Sequence, residues 1–144
     1  MVVKGLTGGN NWVMEEHQTL GAFCPSYHYA IELIGRRWTG AIMRAMYCGE
    51  IRFSDITKTV PGLSDRLLSE RLKELEQAGI VERSVYPETP VRIEYRLTEK
   101  GNALGEVMKA IAAWSEEWVT PEELSTPECK EHIAQEEKAI AGIS

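Results

Sequence analysis

The sequence predicts an α+β protein that is mainly helical, and three observations carry this prediction. Apolar residues recur at helical spacing, Gly and Pro separate these stretches, and only residues 80–97 change to the alternation of β-strands. Of 144 residues, 43% are hydrophobic and 26% are charged, so the chain can bury the core of one domain. We predict a flexible arm over residues 1–23, a domain over 24–118, and a linker with an acidic helix over 119–144.

Two helices are predicted at the start of the domain. The first begins at Cys24 and Pro25, since proline suits the first helical position, and it ends at Gly35. The second runs from Trp38 to Tyr47, with Trp38 as part of its apolar stripe.

A short helix over residues 52–60 and a longer one over residues 64–78 follow. Ser54 and Ser64 are their predicted N-caps, because a serine side chain accepts the free amide hydrogens of a first helical turn. Gly79 ends the longer helix, where glycine can adopt the left-handed conformation.

Residues 80–86 and 91–97 are β-rich, and the tip between them is short enough for a hairpin. In the second segment alternate residues are apolar and predicted buried, namely Val91, Ile93, Tyr95 and Leu97. The residues between them are charged and predicted solvated, namely Arg92, Glu94 and Arg96. A long helix is predicted to begin near Thr98.

This order of elements is that of a winged helix-turn-helix, with residues 64–78 as the recognition helix and 86–92 as the wing. Turning the leucines inward leaves Arg66, Ser69 and Lys73 on one exposed stripe. Arginine can bond guanine, serine suits several partners, and lysine suits phosphate. Alone, this stripe is equally well explained as a solvated helix face. The order of the elements favours double-stranded DNA as the partner.

The charge distribution limits where such a DNA site can lie. The net charge is −6 overall, but residues 36–100 carry +2 and the rest of the chain carries −8. Only this middle region has the positive balance that DNA attracts.

Several motifs together resemble one known family, the HxlR-type winged helix-turn-helix regulators of bacteria and archaea. They are Leu33-Ile34-Gly35-Arg36-Arg37-Trp38-Thr39, Arg52-Phe53-Ser54-Asp55-Ile56, Pro61-Gly62-Leu63-Ser64, Leu72-Lys73-Glu74-Leu75-Glu76, Gly79-Ile80-Val81-Glu82-Arg83, Tyr86-Pro87-Glu88-Thr89-Pro90-Val91-Arg92-Ile93-Glu94-Tyr95 and Leu97-Thr98-Glu99-Lys100-Gly101. The resemblance runs from about Cys24 to Trp118. It implies a homodimer that binds operator DNA and represses or activates neighbouring genes, with a sensor cysteine near the N-terminus.

Carried over by motif, the resemblance implies base contacts around Ser64, Asp65, Arg66 and Ser69, wing contacts around Arg92, and a sensor role for Cys24. The predicted DNA-binding set is Arg52, Ser54, Ser64, Asp65, Arg66, Ser69, Lys73 and Arg92. One departure is that the family's Gly-Lys-Trp-Thr reads Arg36-Arg37-Trp38-Thr39 here, which keeps the positive charge.

Cys24 also has a physical case of its own. A cysteine at a helix N-cap lies beside unpaired amide hydrogens that favour the thiolate, the form that reacts with oxidants and electrophiles. The alternative is a small buried side chain packed with Phe23 and Tyr27. Cys48 is predicted to be a core residue. Cys24 and His28 have the spacing of a metal-ligand pair, but no other ligands join them, so we predict neither a metal nor a cofactor.

The apolar stripe of the long helix that begins near Thr98 is wider than one small core can cover, which predicts a homodimer. The predicted dimerisation residues are Tyr27, Ile31, Leu104, Met108, Ile111, Trp114 and Trp118. Twofold symmetry would set two recognition helices about one DNA turn apart, roughly 34 Å. The alternative is that these side chains pack within their own subunit.

Other classes of function are less well supported. No nucleophile elbow, zinc-protease motif or phosphate-binding glycine loop is present, so we do not predict an enzyme. Neither a signal peptide nor an apolar stretch of membrane-spanning length is recognisable, so we expect a cytoplasmic protein. Two alternatives stay open: the same DNA-binding fold controlled by a small molecule at the dimer interface, and a winged-helix module that binds proteins.

Overall fold

The computed structural model describes residues 23–127, 129–131, 134, 138 and 141–142. The predicted flexible arm, apart from Phe23, lies outside these residues, as does much of the predicted last helix. The described elements are α1 (Pro25–Gly35), α2 (Thr39–Tyr47), α3 (Phe53–Thr59), α4 (Asp65–Gln77), β1 (Val81–Tyr86), β2 (Arg92–Leu97), α5 (Glu99–Ala103), α6 (Gly105–Trp118) and a 3₁₀ helix (Glu123–Ser125). The predicted mainly helical α+β fold is confirmed.

The chain divides into two compact units, residues 1–35 and 36–144. α1 belongs to the first unit and has no buried residue. The core lies in the second unit, where α2, α3, α4 and the start of β1 pack their apolar faces together. Its largest fully buried side chains are Ile42, Met43, Ile56, Leu68, Leu72, Leu75 and Val81.

α2 begins after Trp38 and not at it, which corrects the prediction that Trp38 belongs to the apolar stripe of this helix. Trp38 has φ 75°, in the left-handed region that side chains rarely adopt. Its backbone turns the chain before α2 begins. The Arg37 guanidinium lies over the Trp38 ring, 5.5 Å from the centroid.

The predicted N-cap at Ser54 is wrong, because α3 already begins at Phe53 and Arg52 holds the cap position. The backbone of Arg52 is extended and forms a β-bridge with Glu94. In addition, the Tyr95 amide donates to the Ile51 carbonyl at 2.7 Å. The segment before α3 is therefore held against β2, and this contact sets where the helix begins.

The two ends of α4 match the prediction. The Ser64 side chain accepts the Leu67 amide at 3.2 Å, which satisfies one of the free amide groups of the first turn. After the helix, Gly79 has φ 75°, and the Ile80 amide donates back to the Leu75 carbonyl at 2.9 Å. This is the reversal that favours glycine after a helix.

β1 and β2 form an antiparallel hairpin in which Val81 pairs with Leu97 and Tyr86 with Arg92. The prediction that Glu94 is solvated is wrong, because Glu94 is buried, whereas Val91, predicted buried, is exposed. The burial of Glu94 is explained by its neighbours on the same face of β2. Arg92 and Arg96 flank Glu94 on the same side of β2 and form ion pairs with it, so their side chains cover the carboxylate.

The long helix predicted from Thr98 is divided into α5 and α6 at Leu104. The Thr98 side chain caps α5 by accepting the Gly101 amide at 3.1 Å. Next to the break, the Tyr47 hydroxyl donates to the Gly101 carbonyl at 2.6 Å. Burial raises the pKa of Tyr47, so its hydroxyl stays protonated as the donor.

The absence of a side chain at Gly101 is required by the packing. A Cβ at this position would collide with the Ile80 carbonyl oxygen, which belongs to the backbone and cannot move aside easily. We expect Gly101→Ala to lower the free energy of unfolding by at least about 2 kcal/mol. Urea unfolding measures this change.

Gly40→Ala is the matched control, because the nearest atom to a Cβ there is the flexible Met108 Cε, at 3.8 Å. Alanine inside α2 should leave stability unchanged or raise it by up to about 1 kcal/mol. Equal unfolding midpoints for the two variants would contradict the close approach at Gly101.

Candidate nucleic-acid interface and cysteine site

The exposed face of α4 carries three of the predicted DNA contacts. Arg66, Ser69 and Lys73 are all exposed, while the leucines of the opposite face are buried. The Arg66 side chain is 88% exposed and its Nε lies 3.2 Å from Glu70 Oε1. An exposed ion pair of this kind contributes little free energy, so the guanidinium can exchange partners at low cost.

Ser64 and Asp65 lie at the start of α4 and already have roles within the fold. Ser64 caps the helix, and Asp65 Oδ1 accepts the Thr57 hydroxyl at 3.4 Å, which links α3 to α4. Both residues remain exposed. Serine can donate to or accept from a base, and a carboxylate can accept from cytosine N4.

The structure brings Arg52, Ser54 and Arg92 together along a groove between the start of α3 and the wing. The groove has a volume of about 540 Å³. Residues 88–91, the tip of the hairpin, form its other side. The three predicted residues therefore share one concave surface although they are far apart in the sequence.

Arg92 is more restrained than the sequence analysis expected for a wing residue. Its Nη2 lies 3.1 Å from Glu88 Oε1, and its Nε lies 3.6 Å from Glu94 Oε1. The guanidinium also lies over the Tyr86 ring, 4.3 Å from the centroid. Two carboxylates and an aromatic face thus hold this side chain in place.

Sequence reasoning did not single out Arg96 or Arg71. Arg96 Nη2 donates to Glu94 Oε2 at 2.8 Å, and this hydrogen bond raises the pKa of Arg96. Arg71 is only 12% exposed; its Nε donates to the Arg37 carbonyl at 2.9 Å, and its Nη1 lies 3.2 Å from Glu74 Oε1. The three-residue spacing of Arg71 and Glu74 on one helix could have predicted their ion pair from the sequence.

Cys24 lies immediately before α1, and its carbonyl accepts the His28 amide at 2.9 Å. Its Sγ lies 3.2 Å from Ser26 Oγ. The hydrogen bond with the Ser26 side chain, followed by one from the Tyr27 backbone, lowers the pKa of the Cys24 thiol below its usual range. The thiol is partly exposed, so a small reagent can reach it.

Cys48 differs from Cys24 in its position, because it follows a helix and does not precede one. Cys48 is exposed, so the prediction that it is a core residue is wrong. It follows the last turn of α2, where the chain leaves the core. Within the described part of the chain, no group of three or more potential ligands is arranged to hold a metal ion.

The predicted dimerisation residues are largely exposed. In α1, Tyr27 and Ile31 are exposed, and none of its residues is buried. In α6, Ile111, Trp114 and Trp118 are exposed, and Trp114 keeps 60% of its surface accessible. Leu104 and Met108 are half-buried. Among the described helices, none is both long and apolar enough to cross a membrane.

Comparisons with known proteins agree with this architecture. The HTH-type transcriptional regulators YvaP and YodB of Bacillus subtilis (strain 168) are each 49% identical to the chain over 98 residues. The alignments cover 68% of this chain, 91% of YvaP and 88% of YodB.

Solved structures of YodB from B. subtilis are similar as well. The reduced form matches with a TM-score of 0.62 and 48% identity, covering 69% of this chain and 97% of that one. The quinone-bound form matches with a TM-score of 0.58 and 45% identity, covering 67% and 100%. A family model described as HxlR-like helix-turn-helix matches residues 33–123. The chain therefore belongs to the HxlR-like helix-turn-helix family and is a transcriptional regulator of that type.

Proposed function

We propose that this regulator binds operator DNA as a homodimer and responds to oxidants or electrophiles through Cys24. α4 enters the major groove and the wing, residues 86–92, contacts adjacent DNA. The observation that carries this proposal is that the same unit presents an exposed stripe on α4 and a groove lined by Arg52 and Arg92. Helix and wing together offer base-reading and phosphate-binding groups on the only region with a positive charge balance.

The residues of α4 divide by chemistry into base and phosphate contacts. Arg66 lies in the N-terminal part of the helix, which is the part that usually reaches the base edges, and its fork suits guanine O6 and N7. Ser69 follows one turn later on the same stripe. Lys73, nearer the other end, suits the phosphate backbone.

The response through Cys24 is supported by its lowered thiol pKa and its partial exposure. A larger thiolate fraction at neutral pH makes the sulfur more reactive toward electrophilic carbon and toward oxidants. YodB has been solved in reduced, diamide-treated and quinone-bound forms. We extend that kind of chemistry to Cys24.

The dimer is supported by the apolar side chains left exposed on α1 and α6. Two exposed tryptophans and an exposed isoleucine on one helix are more apolar surface than a small monomer usually leaves in water. A twofold axis buries the same patch on both copies and sets two copies of α4 about one DNA turn, roughly 34 Å, apart.

Fluorescence anisotropy with DNA from immediately upstream of the protein's own gene tests the proposal. We expect tight binding that resists nonspecific competitor, falls steeply with salt, and weakens when diamide is added. Arg66→Ala should cost about 1–3 kcal/mol of binding free energy. Cys24→Ser should bind like the wild type and no longer respond to diamide.

Each other outcome points to a different interpretation. An unchanged diamide response in Cys24→Ser would overturn the thiol mechanism. Binding that is indifferent to oxidant in the wild type would favour control by a small molecule at the dimer interface. No salt-sensitive binding to any duplex would favour the protein-interaction module.

Ser26→Ala tests the cause of the lowered thiol pKa. Removing the hydroxyl removes the largest interaction that favours the thiolate, so the pKa of Cys24 should rise toward its ordinary value. At neutral pH the thiol should then react more slowly with a disulfide reagent, and the midpoint of its rate–pH profile should move to higher pH. A Cys48→Ser/Cys129→Ser background isolates the signal of Cys24. An unmoved midpoint would contradict the role of Ser26.

Sedimentation at micromolar concentration tests the dimer. We expect the wild type to sediment as a dimer and Trp114→Glu as a monomer, because a charge cannot be buried unpaired at the interface. Lys109→Glu, which introduces the same charge on the same helix at an exposed polar position, should remain dimeric. A monomeric wild type would refute the homodimer.

A further inference from the structure

Arg92 is held by two carboxylates whose environments differ. Glu94 is 7% exposed and also pairs with Arg96 Nη2 at 2.8 Å. Glu88 is 56% exposed and pairs with Arg92 Nη2 at 3.1 Å. The contact with Glu94 is therefore shielded from water, whereas the contact with Glu88 is open to solvent and to other anions.

The geometry of the guanidinium limits which of its atoms can change partner. Nε is buried, makes no hydrogen bond to the described residues, and lies 3.6 Å from Glu94. The Tyr86 ring covers one face of the group. Nη2 points to Glu88, a residue that lines the same groove as Arg52 and Ser54.

A carboxylate and a DNA phosphodiester each present oxygen acceptors with one negative charge to a guanidinium. On this basis we propose that Glu88 is an intramolecular competitor for DNA phosphate. It occupies Nη2 of Arg92 in the free protein, and a backbone phosphate entering the groove replaces it. Glu94 is the positioning residue that keeps the guanidinium at the groove during the exchange. This inference rests on the proposed DNA-binding function.

The exchange has a definite energetic consequence. DNA binding must break the Glu88–Arg92 ion pair and then bring a phosphate close to a free carboxylate. Both steps oppose binding, and both disappear when the carboxylate is neutralised. Glu88 therefore lowers DNA affinity, and the part of this effect that comes from its ion pair acts through Arg92.

The experiment is a double-mutant cycle between E88Q and R92Q, read by anisotropy with a labelled mixed-sequence duplex at several salt concentrations. Phosphate contacts are independent of sequence, so this probe does not require the operator. E88Q should tighten binding about three- to tenfold. R92Q should weaken binding and lower the slope of log affinity against log salt by about 0.9, the loss of one phosphate contact. In the R92Q background the gain from E88Q should be clearly smaller, because only the repulsion between the carboxylate and the phosphate is then removed.

Two matched variants separate the exchange from simpler causes. E106Q removes the same charge from an exposed ion pair of similar length, 3.2 Å, on α6, away from the groove. It should change affinity by less than about twofold, because Glu106 does not line the groove and salt screens exposed charges that make no direct contact with the phosphate. E88D retains the charge on a shorter side chain and reports on the shape of the wing tip. It should not reproduce the gain of E88Q.

Every result of the cycle supports or overturns the proposal. The proposal is overturned if E88Q raises DNA affinity no more than E106Q does, or if E88Q raises it equally in the R92Q background. It is also overturned if E88D raises DNA affinity as much as E88Q, because the shape of the loop and not the charge would then be the cause. Thermal unfolding of each variant checks that the wing is intact. Salt-insensitive binding by the wild type would contradict the proposed function itself. Normal wild-type binding with additive effects would contradict only the exchange.

Discussion

The position of α4 relative to β1 and α5 depends on how the carbonyls of residues 78–80, the turn after the helix, are satisfied. Backbone carbonyls in such a turn need hydrogen-bond partners from elsewhere in the chain. Here Lys100 Nζ donates to the Ala78 carbonyl at 2.8 Å, and Thr98 donates its hydroxyl to Gly79 at 2.5 Å and its amide to Ile80 at 3.0 Å. Because β1 begins directly after this turn, the same contacts set where α4 ends and β1 begins. The missing side chain at Gly101 is what allows α5 to approach so closely.

A second constraint is electrostatic. The chain carries −6, yet the candidate interface needs cations. Both requirements are met because three arginines of α4 and β2 are paired with carboxylates: Arg66 with Glu70, Arg92 with Glu88 and Glu94, and Arg96 with Glu94. In the proposed function, a phosphate that reaches one of these arginines replaces a carboxylate already in place, and at the exposed Arg66 pair this exchange costs little free energy.

Sequence reasoning succeeded where the determining interaction is local. The Ser64 cap, the Gly79 reversal and the inward leucines of α4 each follow from residues within one turn of one another. It failed where a distant contact decides. The alternation in β2 shows which residues share a face, but the burial of Glu94 depends on its covering arginines and on the bridge from Arg52. Because of the same bridge, α3 begins at Phe53, so Ser54 lies in its first turn and is not the N-cap.

The segment between α1 and α2 is held by contacts with residues far away in the sequence. The covalent path from Cys24 enters the second unit at Arg36 and Arg37. There Arg36 Nη1 lies 3.3 Å from Glu74 Oε1, and the Arg37 carbonyl accepts Arg71 Nε. Both partners belong to α4, so the recognition helix itself holds the segment that follows α1. In the proposed function, a response that begins at Cys24 therefore has a short route to α4: the covalent chain to Arg36 and Arg37, and then one ion pair and one hydrogen bond.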